Sequence, residues 1–432
     1  MEDYAEVRSV EILHKLGLTE EMVRDHVMLP DHVKTAALHI ELYNAGDGGD
    51  DPSDPLPPSG VFYRLNVEKL RRDLHDLLSG CVAGYSMQLR RYGQTIFDQQ
   101  WNWAKTPGDG GVAWASDIPM HVASVSKLIT AMAMTKLLYS RNISPDEHIL
   151  PWLPKYWNKG PGVDRITFRQ LLTHTSGLVL VDEPGPSDFQ FMKDQIAIGA
   201  VGKPGYRNMN FGLCRILIST IDAPFLFDLF GLGVTDAYWD LTTIRYYARY
   251  VSENVFAPAG VTSTFDHIGN NALAYPYLAN VPGWRSGDLS TMCGGVAWHL
   301  SVNDLLSVMA TFRRRGTIVD PARAQTMLDR QFGIDVKKDT ALGRIYAKGG
   351  FWSFDKGRFV EQSNVFFLPK GMELVILANS PFCQPDTGFM GKVLEAIDAN
   401  IEINLFTLVV AASSAFAAFA LFRRMRAGSN RR

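Results

Sequence analysis

The sequence predicts an α+β fold, an antiparallel sheet flanked by helices with a helical region inserted between the two halves of the sheet. Three observations lead to this prediction. Strand-like runs lie towards both ends of the 432-residue chain, helical patterns fill its middle, and one of these helices is apolar around most of its circumference. Such a helix has to be buried, so we expect the sheet and the other helices to pack around it.

The elements follow in chain order. An amphipathic helix is predicted at 67–78, and a β-hairpin that turns at Tyr92-Gly93 comes next. The apolar helix covers 128–138. Other helical patterns lie at 166–178, where Gly177 is expected to end the helix, and at 210–221, 242–256, 302–313 and 388–401. Strand-like runs in the last third lie at 344–347, 365–368 and 374–377.

Composition divides the chain into three predicted regions. Residues 1–60 form an N-terminal extension that ends in a Gly-, Asp- and Pro-rich linker, residues 61–402 form the main domain, and residues 403–432 form an apolar helix with a basic tail. The net charge of −2 gives no electrostatic support for nucleic-acid binding. The four cysteines (Cys81, Cys214, Cys293 and Cys383) have no metal-ligand spacing and are interpreted as free thiols.

The C-terminal segment 405–422 contains no charged residue and is followed by several arginines. As a helix it would span about 27 Å, close to the thickness of a bilayer core, so we predict a single membrane anchor. A terminal helix packed on the protein, or an oligomer contact, is the alternative. The side of the membrane stays open, because the arginines favour a cytosolic C-terminus and an exported domain, whereas residues 1–17 lack the apolar core of a signal peptide. A cytoplasmic domain is therefore the other interpretation.

Ser124 and Lys127, at the start of the apolar helix, are the candidate catalytic pair. Residues three apart share a helix face, so the serine hydroxyl and the lysine amine can meet. A serine becomes a nucleophile when an adjacent base takes its proton, and burial gives a lysine the lowered pKa that this requires. The alternative is a helix-capping serine followed by a lysine that extends to solvent.

Further motifs follow Ser124-x-x-Lys127 along the chain, at 171–178, 204–208, 294–295 and 348–350. With these motifs in this order, the chain resembles the serine β-lactamase and penicillin-recognising family, in particular the branch with class C β-lactamases, D-Ala-D-Ala carboxypeptidases and related esterases. The resemblance covers roughly residues 65–400 and implies a β-lactamase/DD-peptidase-like fold. It also implies a hydrolase that needs neither a metal nor a cofactor.

The resemblance assigns roles to individual residues. It implies that Ser124 is the acylated nucleophile, Lys127 its base and Tyr206 a proton shuttle. Asn208 would orient Lys127 and the substrate, and Lys348, Gly349 and Gly350 would edge the substrate site. The oxyanion hole would use the backbone N–H groups of Ser124 and Phe351. His174 and Ser176 belong to a turn whose role in the family is architectural.

One departure from the family pattern bears on the substrate. Gly349 stands where β-lactamases have a Thr or Ser whose hydroxyl helps to bind the substrate carboxylate. We therefore expect an esterase or an amidase/peptidase for small-molecule or peptide substrates with a neutral acyl part, and aromatic residues in 225–239 would either line the pocket or pack the helical region. An acyltransferase on the same fold is an alternative within the enzyme class. A non-catalytic scaffold or binding protein is the alternative outside it.

Overall fold

The computed structural model describes residues 63–178, 186–224, 235–383 and 388–404. It separates into two compact units, which are described in turn. The larger comprises residues 67–340 and 344–400, and the smaller takes its described residues from 63–66, 341–343 and 401–404. In the smaller unit, β1 (Tyr63–Leu65) pairs antiparallel with β11 (Ile401–Ile403), and Arg64 donates to Glu402 over 2.8 Å.

A seven-stranded sheet is the framework of the larger unit, within the residues described. Its strands are β2 (Gly84–Arg91), β3 (Gln94–Lys105), β4 (Val112–Ala113), β7 (Val336–Thr340), β8 (Gly343–Phe354), β9 (Phe359–Leu368) and β10 (Met372–Ala378). The spatial order is β4-β3-β2-β10-β9-β8-β7. A short antiparallel pair, β5 (Met120–His121) with β6 (His299–Leu300), lies outside this sheet.

The sheet joins the two ends of the domain, as predicted. Strand β2 pairs antiparallel with β10 from Arg91↔Met372 to Tyr85↔Ala378. The predicted hairpin is present, since Tyr92 (φ 50°) and Gly93 (φ 82°) turn the chain between β2 and β3. The strand predicted at 344–347 extends to Phe354, so the Lys348-Gly349-Gly350 motif lies within β8.

Helices fill the middle of the chain, and this confirms the α+β prediction. They are α1 (Val67–Ser79), α2 (Ser126–Ser140), α3 (Phe168–Leu172), α4 (Phe189–Ile198), α5 (Asn208–Asp222), α6 (Asp236–Val251), α7 (Ala257–Ala259), α8 (Val302–Ala310), α9 (Pro321–Asp329) and α10 (Phe389–Ala399). Single π-helical turns at Ser252–Phe256 and Thr311–Arg315 continue α6 and α8 to about their predicted ends. The helix predicted at 166–178 is much shorter, because His174 (φ 58°) and Gly177 (φ 71°) adopt left-handed backbone conformations.

Helix α2 is the centre of the core. All its residues from Ser126 to Thr135 are buried, as are Leu137 and Leu138, so the prediction of a helix buried on most of its circumference is confirmed. Ser124 does not cap it. The serine lies in a 3-10 turn, Ala123–Val125, and the helix begins after Val125 without a side-chain cap.

Two of the cysteine interpretations were wrong. Cys81 and Cys383 form a disulfide that links positions 302 residues apart, with their Cα atoms 4.7 Å apart. The sequence could not indicate this, because their proximity depends on the pairing of β2 with β10, and the two cysteines flank those strands. Cys214 and Cys293 are buried free thiols, as interpreted.

The predicted extension 1–60 and the apolar segment 405–422 lie outside the described residues, so the three-region division and the membrane anchor stay predictions. Within the part of the chain that the structure describes, none of the helices is long and apolar enough to cross a membrane.

Candidate active site

The candidate residues meet at a cavity of about 1420 Å³ in the larger unit. Ser124, Tyr206 and Asn208 line it together with Gly349, Gly350 and Phe351 of β8. Lys127 and Lys348 are almost fully buried behind this surface, with relative exposures of 0% and 1%. The structure thus brings together all eight residues that the sequence indicated.

Ser124 is presented to the cavity by a constrained backbone. Ala123, just before it, has a φ of 46°, an unfavourable conformation for a residue with a Cβ. Two hydrogen bonds hold Val122, the residue before Ala123. The Val122 N–H donates to the Trp298 carbonyl over 2.9 Å, and Ser363 Oγ donates to the Val122 carbonyl over 2.6 Å. The short turn therefore directs Ser124 away from the helix end that it would otherwise cap.

Lys127 Nζ donates three hydrogen bonds, to Ser124 Oγ at 3.0 Å, to Asn208 Oδ1 at 2.8 Å and to the Gly295 carbonyl at 2.8 Å. These partners fix the amine beside the hydroxyl without any carboxylate as a direct partner. Burial lowers the pKa of Lys127, and although nearby Tyr206 raises it and Lys348 lowers it further, the net change is downward. The amine is consequently closer to its neutral, proton-accepting form than a lysine in water.

Tyr206 lies between the two lysines. Lys127 Nζ is 5.0 Å and Lys348 Nζ is 4.9 Å from the centre of its ring, and Lys348 Nζ also donates to the phenol oxygen over 3.3 Å. Burial alone would raise the pKa of Tyr206, but the two ammonium groups and a hydrogen bond with Ser124 lower it, and the net shift is downward. The phenol therefore gives up a proton more readily than a buried tyrosine normally would.

His174 packs against Tyr206. Its ring packs on the tyrosine ring at a centroid distance of 4.1 Å, and its Nδ1 accepts the Arg207 N–H over 3.2 Å. Burial and the nearby lysines lower its pKa to about 2, so the ring is neutral. Ser176 Oγ donates to Asn210 Oδ1 over 2.7 Å inside the protein. Both contacts support the architectural role predicted for this turn.

Strand β8 passes very close to Ser124. A Cβ on Gly350 would lie 2.4 Å from the Val122 carbonyl oxygen and 3.1 Å from the Ser124 nitrogen, so only glycine fits there. The Gly349 N–H points away from β9 and donates to Asp335 Oδ2 over 3.0 Å. Because alternate N–H groups of a strand point the same way, the Phe351 N–H lies on that same edge of β8. This placement supports the predicted oxyanion hole.

Sequence reasoning missed Asp335, which lines the cavity. Its Oδ1 accepts from Lys348 Nζ over 2.6 Å, and its own N–H donates to the Ala347 carbonyl over 2.9 Å. The signal was weak, because Asp335 leads into β7, a short strand of mostly polar residues that has no apolar alternation. Recognition of the β7–β8 hairpin would have placed the aspartate beside the lysine.

Sequence reasoning also missed a buried pair, His121 and Glu361, close to the segment that precedes Ser124. His121 Nδ1 is 3.0 Å from Glu361 Oε2, and both side chains have no exposed surface. Burial lowers the pKa of His121 to about 3 and raises that of Glu361 well above its usual value, so the uncharged forms are favoured. The pair ties the segment before Ser124 to β9.

The aromatic residues that line the cavity are not the ones considered in 225–239. Phe225, Phe227 and Phe230 lie outside the described residues, and Trp239 belongs to the hydrophobic core. Aromatic residues of other segments, Phe351, Trp352, Phe382 and Phe389, line the cavity instead. Of the described aromatic residues in 225–239, Trp239 therefore packs within the helical region, whereas Tyr238 is 47% exposed and does not line the cavity.

An antiparallel sheet with an inserted helical region, and a buried lysine bonded to a serine three residues away, define the class of β-lactamase-fold proteins. The chain belongs to the Beta-lactamase family, whose family model matches residues 70–380. The family includes serine hydrolases such as β-lactamases and amidohydrolases.

Individual relatives are distant. The human mitochondrial serine beta-lactamase-like protein LACTB is 27% identical over 135 residues, which are 29% of this chain and 23% of the relative, so the match spans about a quarter of that protein's length. A D-amino acid amidase from Ochrobactrum anthropi aligns with a TM-score of 0.57 and 20% identity over 77% of this chain and 99% of its own. A beta-lactamase/D-alanine carboxypeptidase from Pseudomonas syringae gives 0.57 and 16% over 77% and 98%. At these identities the two structures show a shared fold.

Proposed function

We propose that this protein is a serine hydrolase that acts through an acyl-enzyme on Ser124, as an esterase or an amidase/peptidase. The observation that carries the proposal is the 3.0 Å contact between Lys127 Nζ and Ser124 Oγ, made by a lysine that is fully buried and has a lowered pKa. A non-catalytic protein gains nothing from burying two lysines beside one serine, because desolvating each ammonium group is costly.

The reaction would follow from the geometry. Lys127 takes the proton of Ser124 as Oγ attacks the scissile carbonyl, and the carbonyl oxygen becomes an oxyanion that the N–H groups of Ser124 and Phe351 receive. Tyr206, hydrogen-bonded to Ser124, donates a proton to the leaving alcohol or amine as the carbonyl–heteroatom bond breaks. The proton on Lys127 then passes to Tyr206, which restores both groups. A water molecule attacks the acyl-enzyme and loses a proton to Lys127 or Tyr206, this proton is returned to Ser124 Oγ as the ester bond breaks, and the acid and free Ser124 are released.

Labelling with a fluorophosphonate tests the proposal. The probe should form a phosphorus–oxygen bond with Ser124 as fluoride leaves, and peptide mapping by mass spectrometry should place the adduct on this residue. Ser124→Ala should abolish the label. Ser353→Ala is the matched control, because Ser353 also lines the cavity whereas the side-chain hydrogen bonds of Lys127 and Lys348 go to other residues, and its label should match that of the wild type. Folded wild-type protein without label would favour the scaffold interpretation.

The pH dependence of labelling supplies a second prediction. Protonated Lys127 cannot accept the serine proton, so the second-order labelling rate should fall as the pH decreases, by about tenfold per pH unit below the apparent pKa. Because the pKa of Lys127 is lowered from 10.5, the midpoint should lie below that value. His174 does not titrate in this range, since its pKa is about 2. A rate that is independent of pH between 5 and 10 would contradict the role of Lys127.

A further inference from the structure

An acidic side chain occupies a position in the cavity where two donors meet. Asp335 Oδ1 accepts from Lys348 Nζ at 2.6 Å, and Oδ2 accepts from the Gly349 N–H at 3.0 Å. The lysine side chain is 1% exposed and the aspartate side chain 28% exposed. The carboxylate therefore forms the surface that a ligand meets, and the ammonium lies behind it.

This arrangement cancels the attraction that Lys348 would otherwise exert on an anion. The lysine charge is compensated at contact distance, and the strand N–H beside it is already hydrogen-bonded. A substrate carboxylate placed here would have to displace Asp335 or approach it as a like charge. Either route disfavours an anionic substrate.

Gly349, next to Lys348, has no side-chain donor that could bind a substrate carboxylate in place of the neutralised lysine. Gly349 has no hydroxyl, and the nearest atoms to a Cβ built on it are Asn364 Oδ1 at 3.3 Å and, both at 3.7 Å, Asp335 Oδ2 and Met390 Sδ, none of which is a donor. The subsite around Gly349 thus presents acceptor oxygens where a carboxylate would need donors. Groups that donate hydrogen bonds, or carry a positive charge, match it better.

The position of Tyr206 decides which part of a substrate enters this subsite. Lys348 Nζ lies 3.3 Å from the Tyr206 phenol oxygen, and in the proposed reaction that phenol protonates the leaving group. The Asp335–Lys348 pair therefore faces the leaving-group side of the scissile bond rather than the acyl side.

We propose that Asp335 is a specificity-determining residue that excludes leaving groups bearing a carboxylate and selects neutral or cationic ones. The inference rests on the proposed hydrolase function and deepens it by naming the substrate class. Asp335 acts through charge and through its hold on Lys348, and it takes no part in bond formation.

Three esters with one acyl group test this proposal: 3-butyryloxybenzoate, 3-butyryloxybenzamide and 3-(butyryloxy)benzylammonium. Since all three form the same butyryl-enzyme, differences in kcat/KM report the acylation step and leaving-group binding alone. Wild-type enzyme should prefer the amide and the ammonium esters over the carboxylate ester by roughly tenfold or more. Added salt should reduce the preference for the ammonium ester over the carboxylate ester.

Asp335→Asn should raise kcat/KM of the carboxylate ester to within about twofold of the amide ester or above it, because it removes the repelling charge, leaves Lys348 uncompensated and keeps the size of the side chain. Asp339→Asn is the matched control: Asp339 lies on the neighbouring strand β7, pairs with Arg344 and is absent from the cavity wall, so the ratio should not change. Fluorophosphonate labelling of Ser124 in each variant shows that the site is intact.

Two results would overturn the proposal. One is a wild-type enzyme that hydrolyses the carboxylate ester as fast as the amide ester, for instance because Arg330, another residue of the cavity wall, binds the carboxylate; Arg330→Gln would then slow that ester alone. The other is an unchanged ratio in Asp335→Asn. Absence of both hydrolysis and Ser124 labelling in the wild type would instead refute the hydrolase function itself.

Discussion

Replacing Lys127 by arginine is expected to slow acylation of Ser124 by about 10²–10⁴-fold, although the positive charge is retained. A guanidinium does not lose its proton in a protein, so it cannot accept the serine proton. It is also planar, whereas Lys127 Nζ reaches Ser124 Oγ, Asn208 Oδ1 and the Gly295 carbonyl from one point. Single-turnover kinetics with an activated ester would measure the loss.

Lys136→Arg provides the matched control for this experiment. Lys136 lies on the same helix and donates to the backbone carbonyls of Asn254 and Thr317, contacts that a guanidinium can also make. Its acylation rate should stay within about twofold of the wild type, as expected for a substitution away from the site. A Lys127→Arg enzyme that acylates at the wild-type rate would show that another group is the base.

Gly350→Ala is expected to be the most damaging single-methyl change in the site. The new Cβ would lie 2.3 Å from Ser363 Oγ and 2.4 Å from the Val122 carbonyl oxygen, and the second of these is a backbone atom that cannot rotate away. Strand β8 would have to move away from Ser124, which separates the two oxyanion donors. A misplacement of about 1 Å typically costs about 10²-fold in rate, and overpacking costs about 1–3 kcal/mol of stability.

Gly349→Ala is the control for Gly350→Ala. It tests whether the damage comes from the close contact of residue 350 with the Ser124 segment or from the loss of any glycine in this strand. Its Cβ would meet nothing closer than the Asn364 side-chain oxygen at 3.3 Å, and a small side-chain movement relieves that contact. We expect thermal unfolding and fluorophosphonate labelling close to wild type for Gly349→Ala, with both reduced in Gly350→Ala. Equal behaviour of the two variants would contradict the close packing of β8 on Ser124.

Features encoded in short stretches of chain could be predicted from the sequence. The apolar run of α2 indicates burial whatever packs on it, and Tyr92-Gly93 favours the left-handed backbone of a tight hairpin turn. The convergence of Ser124, Tyr206 and Lys348 was implied by the family resemblance that the order of the motifs supports. The first two signals depend on residues within a few positions of one another, whereas the third depends on a resemblance that extends over motifs from Ser124 to Gly350.

Features that depend on tertiary pairing could not be predicted in this way. Asp335 meets Lys348 only because β7 and β8 form a hairpin, and the polar sequence of β7 conceals that strand. His121 and Glu361 are 240 residues apart, and neither lies in a recognisable motif. The disulfide between Cys81 and Cys383 likewise needs the register of the sheet.

The pairing of β2 with β10 also bears on how the protein is made. The β2–β3 hairpin leaves the ribosome early, yet one edge of β2 pairs with Met372–Ala378, which are synthesised nearly 300 residues later. Contacts this distant in sequence form slowly, because a long loop must close before they contribute. Until then the backbone N–H and C=O groups on that edge of β2 are unpaired and open to wrong partners, whereas the helical middle of the chain consists of local contacts that can form earlier. The strand order of the sheet therefore ties its completion to the last part of the domain to be synthesised.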